Sequence, residues 1–319
     1  MTDVRFQFQE VTREKAKASI QIQGLSGRGK SGLALLIAHA LAGDWKKVFA
    51  VDTENKSMSL YTGLKSPDGK SYEKFNIGFL TPDIGYKPTN YSAFRETAIE
   101  AGAKAVIFDS ISHAWQYKGG VLDLVAQAKE RDKRYAKDQY AAWGEAEVVK
   151  EKNELLNLIR DSRVHMITTV RVKEKMEYDK DENGKTILTS LGEMQIQQAD
   201  LKYEPDLVLE MVSPGSRTEY PCAKVLKTRY DFLALGETYC FNETLLQQLK
   251  KYLDEGVDPE VLLEQQRQDY IAGIKEMLDN RPNLKQIWSV IKADAGHKDT
   301  KLVDLPLEVV KQLYIKLSE

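Results

Sequence analysis

The sequence predicts an α/β protein with a mostly parallel central sheet, flanking helices, some antiparallel strands and a small helical domain at its C-terminal end. Three observations support this fold class. Short apolar segments alternate with helical segments between residues 18 and 170, which is the order of a parallel sheet with crossover helices. Several of these apolar segments are continuous, as in strands that are buried on both faces. After about residue 240 the pattern becomes helical.

The alternating region begins with a short strand and a helix. Residues 19–23 alternate isoleucine with polar residues, which favours a strand, and residues 31–41 are rich in leucine and alanine, which favours a helix. The other predicted elements are strands at 48–51 and 77–80, a helix at 91–101, a strand at 105–108, a long helical stretch at about 121–160 and a strand at 164–170.

The rest of the chain predicts antiparallel strands and then helices. Asn183-Gly184 is a turn signal between polar flanks, so residues 173–190 are expected to form a hairpin or a mobile loop. The segments PDLVLEMV and CAKVLKTRY predict two further strands. Helices are predicted at 243–255, 258–279, 283–294 and 306–318. We therefore divide the chain into a core of residues 1–245 and a small helical domain of residues 246–319.

Composition narrows the classes of protein to consider. Of the 319 residues 42% are hydrophobic and 29% are charged, as in soluble proteins with a sizeable core. No run of 18 apolar residues and no secretory signal is found, so we expect a cytoplasmic protein with no membrane partner. Cys222 and Cys240 show neither metal-ligand spacing nor a disulfide framework, and we expect buried thiols. A net charge of −2 gives no global signal for nucleic-acid binding.

A glycine-rich segment connects the first strand to the first helix. Gly24, Gly29, Lys30 and Ser31 match G-x-x-x-x-G-K-[ST], the phosphate-binding loop, in the strand-to-helix context that it requires. Glycines allow several backbone N–H groups to point at one anion, and the helix N-terminus adds partial positive charge. A tight turn is the structural alternative, but the full match predicts an ATP site. The residues expected to contact ATP here are Gly24, Leu25, Ser26, Gly27, Arg28, Gly29, Lys30, Ser31 and Gly32.

Two side chains are expected to hold Mg²⁺ in this site. The Ser31 hydroxyl would ligate the ion, and Lys30 would reach the outer phosphates and act in catalysis. Asp109 ends the 105–108 strand and is predicted to provide the second anionic point for Mg²⁺. An acid that caps the following helix is the alternative interpretation of Asp109.

The catalytic base is predicted on an earlier strand. The residue after Asp109 is Ser110, whose hydroxyl cannot take a proton from water at neutral pH. Asp52 and Glu54 follow the 48–51 strand, at the sheet edge where ligands bind in open α/β sheets. We predict that Glu54 activates the attacking water, with Asp52 as the weaker alternative. A solvated acid in a strand-end loop is the structural interpretation of Glu54.

These motifs, in this order, resemble the RecA-type recombinase core over about residues 15–240. The resemblance implies that Glu54 is the catalytic carboxylate and that Tyr61, seven residues later, stacks on adenine. Thr169 stands at a strand end where the family has a polar sensor, and it is expected to contact the nucleotide. The resemblance also implies that Lys227 and Arg229 reach the γ-phosphate of a neighbouring subunit's ATP. A homo-oligomer with ATP at its subunit interfaces follows from that arrangement.

Within this superfamily the chain is similar to the compact RecA-like ATPases of phages and prophages. The segments that carry this similarity are DSISHAW, AAWGEAEVV and VRVKEK. Members of that group are implicated in single-strand annealing and recombination. The similarity implies that single-stranded DNA is a partner and that a single-strand-binding or replication protein is a further partner. It also implies a bacterial host cell if the gene is phage-encoded.

Two cationic segments are candidates for contacts with single-stranded DNA, because lysine, arginine and aromatic residues are mixed in them. A solvated helix face is the alternative for the first segment, and an acid-rich hairpin that caps the site or meets another subunit is the alternative for the second. The candidate residues are Lys129, Arg131, Lys133 and Arg134 in the first segment and Arg171, Lys173 and Lys175 in the second.

The predicted function is hydrolysis of ATP with Mg²⁺, coupled to single-stranded DNA in recombination, annealing or replication. A nucleotide-dependent loader or interaction module with slow ATPase activity is one alternative. A small-molecule kinase is another, although the chain has no Arg-rich lid and continues into antiparallel strands.

Overall fold

A computed structural model describes residues 12–54, 56–132, 140–160, 163–180, 186–197, 199–212 and 219–318, with the backbone alone for residues 174–180, 186–193, 199 and 286. Strands in the described residues join into one sheet around β1, which carries the glycine-rich segment at its end. The strands are β1 (Ser19–Gly24), β2 (Val48–Asp52), β3 (Asn76–Phe79), β4 (Ala105–Asp109), β5 (His165–Lys180), β6 (Thr186–Gln195), β7 (Leu207–Met211), β8 (Cys222–Thr228) and β9 (Thr238–Cys240).

The strand order is β3-β2-β4-β5-β1-β7-β8-β9, with β6 paired to β5. Neighbouring strands from β3 to β7 run parallel, whereas β8, β9 and β6 are antiparallel additions. Strand β5 lies between β1 and β4 and runs parallel to both. The carboxyl ends of all three strands therefore lie at the same edge of the sheet. The predicted α/β fold class is confirmed.

Helices cover both faces of the sheet. Along the described residues of the whole chain, the α-helices are α1 (Lys30–Ala42), α2 (Pro88–Glu100), α3 (Ser112–Gln116), α4 (Val121–Arg131), α5 (Ala146–Arg160), α6 (Glu243–Asp254), α7 (Pro259–Asn280), α8 (Leu284–Asp294) and α9 (Leu307–Ser318), of which α7, α8 and α9 lie in a separate C-terminal unit. Apolar residues of α1 and α6 pack on one face of the sheet, and those of α2, α4 and α5 pack on the other. Burial on both faces explains the continuous apolar strands in the sequence.

The predicted helical stretch at 121–160 is wrong in one respect, because it is not continuous. Helix α4 ends at Arg131, and α5 begins only at Ala146. Residues 141–144 form a 3₁₀ turn whose Trp143 ring lies 6.0 Å from the ring of Trp115. Tertiary packing of this tryptophan, together with the low helix propensity of Gly144, overrides the helical pattern of the sequence.

The predicted pair of buried thiols is also wrong. Cys222 and Cys240 form a disulfide, and Cys240 is exposed. The antiparallel register of β8 and β9 places the two cysteines directly opposite each other. That register brings together residues 18 positions apart in sequence.

The chain divides into two compact units. The larger unit comprises residues 16–253 and contains the sheet, and the smaller one includes residues 12–15 and 254–318. Helix α6 belongs to the larger unit, because Leu246, Leu249 and Leu253 are buried in its core. The units therefore divide at residue 253, beyond the expected boundary near residue 245. The core of the smaller unit consists of Ile271, Ile274, Leu305, Val310, Leu313 and Leu317.

Among the described residues we find no helix with the length and apolar character needed to cross a membrane.

Candidate nucleotide-binding site

The glycine-rich segment forms a loop between β1 and α1, in the predicted strand–loop–helix order. Gly29 directly precedes the first residue of α1 and has a φ of 85°. Residues with a Cβ rarely adopt this backbone conformation. At Gly24 a Cβ would lie 3.1 Å from the Cβ of Met211, so glycine also allows β7 to approach closely. The loop therefore brings backbone N–H groups and the N-terminus of α1 to one place, which is suited to an anion.

Lys30 is folded back over this loop. Its Nζ donates to the carbonyl oxygens of Gly24 and Leu25, each at 2.9 Å, and the residue is 7% exposed. A bound triphosphate would offer the same ammonium group stronger, charged acceptors. The predicted contact of Lys30 with the outer phosphates stays a prediction.

Asp109 and two hydroxyl groups converge behind the loop. Ser31 Oγ donates to Asp109 Oδ2 at 2.6 Å, and Thr169 Oγ1 donates to Asp109 Oδ1. This arrangement fits Mg²⁺, which takes oxygen ligands and is usually held in proteins by one or two carboxylates together with water and substrate phosphates. Ser31 and Asp109 are the residues that would hold the ion. Thr169 donates to the acid, and its predicted contact with the nucleotide stays a prediction.

Burial raises the pKa of Asp109 to about 6, although the hydrogen bonds from Ser31 and Thr169 lower it. Nearby Glu54 and Asp52 also raise it. A cation next to this carboxyl group would favour its charged form. The site is therefore expected to release a proton when a metal ion binds at acidic pH.

Asp109→Asn is expected to stabilise the metal-free protein at high pH. The folded protein holds a proton on Asp109 between pH 3.8 and about 6 that the unfolded chain releases, so the free energy of unfolding falls as pH rises through this window. This fall in the free energy of unfolding is on the order of 3 kcal/mol, and it does not occur in the asparagine variant, which has no carboxyl group at this position. We expect urea unfolding to show little difference between variant and wild type near pH 4 and a more stable variant near pH 8. An equal difference at both pH values would contradict the raised pKa of Asp109.

The loop after β2 carries the two acids that compete for the role of base. Asp52 is 1% exposed and accepts hydrogen bonds from the backbone N–H groups of Glu54 at 2.6 Å and Met58 at 3.0 Å. Burial raises the pKa of Asp52. The side chain of Glu54 is 22% exposed, and its Oε1 accepts from Arg171 Nε at 2.7 Å. Asp52 thus holds the loop in place, whereas Glu54 remains accessible to solvent.

Thr53 and His113 form a buried polar cluster, and Thr53 was not among the residues singled out in the sequence. Thr53 Oγ1 accepts from the N–H of Ser110 at 2.8 Å and lies 2.5 Å from His113 Nδ1. Burial lowers the pKa of His113 to about 4, so the ring is neutral at physiological pH. Tyr91 Oη donates to the carbonyl oxygen of Ser110 at 3.1 Å. These contacts fix the chain directly after Asp109, and no motif in the sequence marks them.

Tyr61 lies beside the phosphate-binding loop. A Cβ on Gly32 would come within 3.1 Å of its ring, so the ring packs directly on the first turn of α1. Tyr61, Tyr72, Leu64 and Pro221 line an apolar pocket next to the loop. A flat ring and apolar walls are suited to a nucleobase, as the predicted role of Tyr61 requires.

A groove of about 820 Å³ lies beside the carboxyl end of β1 and the β5–β6 hairpin. Trp115 and Tyr203 line it, and Tyr203 is 63% exposed. Lys202 Nζ lies 5.1 Å from the centre of the Tyr203 ring. The groove is also lined by Lys173 and Lys227, and no acidic side chain of the described residues lines it. The groove is therefore cationic, although the chain as a whole is slightly acidic.

Glutamine side chains form a hydrogen-bonded row along this groove. Gln23 Nε2 donates to Glu210 Oε1 at 2.9 Å, Gln195 Nε2 donates to Gln23 Oε1, and Gln197 Nε2 donates to Gln195 Oε1 at 2.6 Å. The Oε1 atom of Gln197 is buried and accepts no hydrogen bond within the described part of the chain. A buried acceptor without a partner is costly.

Several predicted residues lie away from the phosphate-binding loop. Lys227 and Arg229 are at the end of β8, two strands from β1. Lys227 Nζ donates to the carbonyl oxygens of Tyr203 and Pro205, each at 2.5 Å, and Arg229 pairs with Asp206 at 3.1 Å. Their predicted action on a neighbouring subunit stays a prediction.

The two predicted DNA segments differ in what the structure describes of them. Lys129 and Arg131 are in the last turn of α4, where Arg131 pairs with Glu145. Arg171 and Lys173 are on β5, and only Lys173 lines the groove. Lys133 and Arg134 lie outside the described residues, as does the side chain of Lys175. Trp115, Lys202 and Tyr203 were not among the candidates, because they are isolated in the sequence.

The loop between β1 and α1, with Ser31 and Asp109 behind it, defines the class of P-loop NTPases. The sequence matches the AAA domain family over residues 16–232, which is more than half of the chain, and the protein belongs to this family. Membership indicates a nucleotide-binding ATPase. A search of curated proteins gives no match.

Proposed function

We propose that the protein is a RecA-like, Mg²⁺-dependent ATPase of the phage and prophage type that acts on single-stranded DNA in recombination, annealing or replication. The observation that carries the proposal is the position of the cationic groove next to the phosphate-binding loop. Gln23 lines the groove and directly precedes Gly24, the first residue of the loop. A ligand in the groove would therefore lie beside the nucleotide.

Hydrolysis of ATP would use side chains at the edge of the sheet. Lys30 would leave the carbonyl groups of its own loop and bind the outer phosphates, and Ser31 and Asp109 would hold Mg²⁺. The bound ion would neutralise negative charge on the phosphates. Glu54 would accept a proton from the attacking water, whose oxygen bonds to the γ-phosphorus while the bond to the bridging oxygen of ADP breaks. Glu54 is preferred over Asp52, whose oxygens hold the backbone of the loop.

Single-stranded DNA fits the chemistry of the groove. Lysines provide charge for phosphates, and exposed aromatic rings stack with bases of any sequence. Lys173 and Lys202 are exposed, and Tyr203 is a flat, accessible ring. These features favour a single strand, whose bases are free, over a duplex.

The proposal includes a homo-oligomer in which Arg229 and Lys227 act on the ATP of a neighbouring subunit. The side chain of Arg229 is 64% exposed despite its contact with Asp206, so it is available to a second subunit. An arginine supplied in this way accelerates phosphoryl transfer by about 10³-fold or more. A single-strand-binding or replication protein is proposed as a further partner.

Tyr203→Ala is expected to weaken binding of single-stranded DNA. Loss of one stacked base costs about 1–3 kcal/mol, or roughly 5- to 150-fold in affinity. Fluorescence anisotropy with a labelled thymidine oligonucleotide measures this change. Lys202→Gln is expected to weaken binding less and to lower the slope of log affinity against log salt by about 0.7.

Tyr140→Ala is the matched control for this experiment. Tyr140 is 72% exposed and follows the first cationic segment, but it does not line the groove. Its loss should leave DNA binding unchanged. If Tyr140→Ala weakens binding and Tyr203→Ala does not, DNA binds at the α4 segment instead of the groove. If wild-type protein binds no single-stranded DNA, the proposed function is wrong.

A further inference from the structure

A disulfide attaches the edge strand β9 to β8. Cys222 is the first residue of β8, Cys240 is the last residue of β9, and the chain contains no third cysteine. Strand β9 has three residues and ends the strand order of the sheet, and three residue pairs join it to β8. So short a pair of strands is only marginally stable on its own. The covalent bond is therefore a substantial part of the attachment.

The disulfide lies next to one wall of the apolar pocket beside the phosphate-binding loop. Pro221 lines this pocket together with Tyr61, and Pro221 directly precedes Cys222 in the chain. The carbonyl oxygen of Pro221 accepts a hydrogen bond at 3.0 Å from the backbone N–H of Phe241. Phe241 directly follows Cys240. The end of β9 thus holds Pro221 by this hydrogen bond and by a covalent bond one residue away.

The disulfide is open to attack by thiols. Cys240 is exposed, and exposed disulfides are the ones that are labile or regulatory. A thiolate of a dithiol reductant would attack Cys240 Sγ, the sulfur–sulfur bond would break, and Cys222 would leave as a thiolate and take up a proton. The second thiol of the reductant would then attack the mixed disulfide and release Cys240. The protein thereby gains two electrons and two protons, and the dithiol becomes a disulfide.

We propose that Cys222 and Cys240 form a redox modification site that sets the affinity for the base of the nucleotide. The disulfide holds Pro221 in place as a wall of the pocket beside Tyr61, so a base that enters the pocket meets a preorganised surface. Reduction by a dithiol frees this wall, and binding must then order it at a cost in affinity. This inference rests on the proposed function, because it needs the base of ATP in this pocket.

The phosphate-binding loop is attached independently of the disulfide. The loop connects β1 to α1, and β7 separates β1 from β8 in the sheet. Lys30 donates its hydrogen bonds to carbonyl groups within the loop itself. Reduction should therefore weaken the contact with the base and leave the contacts with the triphosphate unchanged. Inorganic triphosphate, which has no base, distinguishes an effect on the pocket from a general loss of structure.

The test measures, by calorimetry with Mg²⁺ present, how tightly oxidised and reduced wild type bind ATP and inorganic triphosphate. The oxidised form should have no free thiol, and its mass should be lower than that of the dithiothreitol-reduced form by two hydrogen atoms. Reduction should weaken ATP binding about fivefold and leave triphosphate binding unchanged. The double variant Cys222→Ser, Cys240→Ser is the matched control, because it should bind ATP as the reduced protein does and should not respond to the reductant.

Free thiols that persist after treatment with an oxidised dithiol would overturn the inference, since the bond would then not form in solution. Equal affinities of the oxidised and the reduced protein for ATP would overturn it too, and so would an equal loss of affinity for ATP and triphosphate. In each of these cases, wild type that still binds ATP leaves the proposed function standing. If wild type binds ATP in neither state, both the inference and the proposed function are wrong.

Discussion

Lys30→Ala is expected to lower the affinity for ATP by about 100-fold or more. The ammonium group would make charge-assisted hydrogen bonds to the outer phosphates, each of which contributes about 1.5–3 kcal/mol. Two such contacts account for at least a factor of 100 in the dissociation constant. Without a ligand, Lys30 donates hydrogen bonds to two carbonyl oxygens of its own loop. These bonds break when Lys30 turns to the phosphates, so they offset part of the gain in binding free energy.

Thermal unfolding provides a direct measurement. ATP at about 100 times its dissociation constant stabilises the wild-type protein by about 2.7 kcal/mol, and the melting temperature rises accordingly. The same concentration should leave Lys30→Ala almost unstabilised. Lys104→Ala is a suitable control, because Lys104 is exposed and directly precedes β4, at the end of that strand remote from Asp109. Equal stabilisation of Lys30→Ala and wild type by ATP would place the triphosphate elsewhere.

Local sequence signals predicted the parts of the site that depend on local structure. The phosphate-binding loop is defined by spacing within eight residues, and the same residues form the turn between β1 and α1. Asp109 was found because it ends an apolar strand, and parallel strands bring their carboxyl ends to one edge. Asp52 and Asp109 are partners across β2 and β4, so two acids on different strands meet at that edge.

Contacts that depend on strand register could not be predicted in the same way. Gly24 and Arg171 are partners across β1 and β5, and this register brings Arg171 to Glu54. The sequence marked Arg171 only as a cation in a loop. The disulfide between Cys222 and Cys240 was missed for the same reason, since the register of β8 and β9 creates it.

The groove was missed because its residues come from separate elements. Trp115 is in α3, Lys173 is on β5, and Tyr203 ends a 3₁₀ turn before β7. Trp115 and Tyr203 lie outside both cationic segments of the sequence, and Lys173 is the one of the three that was a candidate. Local charge density favoured residues 129–134 instead, where Arg131 forms an ion pair with Glu145. Tertiary structure, rather than local composition, determines which cations have a ligand within reach.

Glu54→Gln is expected to stop hydrolysis and to preserve ATP binding. A glutamine side chain keeps the size of glutamate and still accepts a hydrogen bond from Arg171, so the loop after β2 should retain its structure. It cannot take a proton from water, and loss of a general base lowers turnover by about 10²- to 10⁴-fold. The variant should therefore hold ATP as a stable complex. Lys30→Ala and Glu54→Gln are thus expected to differ in ATP affinity, although both lack activity.

Phosphate release in a single turnover, together with ATP affinity, tests this prediction. Glu100→Gln is the control, because Glu100 is exposed at the end of α2 and its loss should change neither quantity. Asp52→Asn distinguishes the two acids of the loop. Asp52 is buried and accepts two backbone N–H groups, so its replacement should lower the stability of the loop more than the chemical step. Normal turnover in Glu54→Gln would show that another group activates the water, and Asp52 would then be the first residue to test.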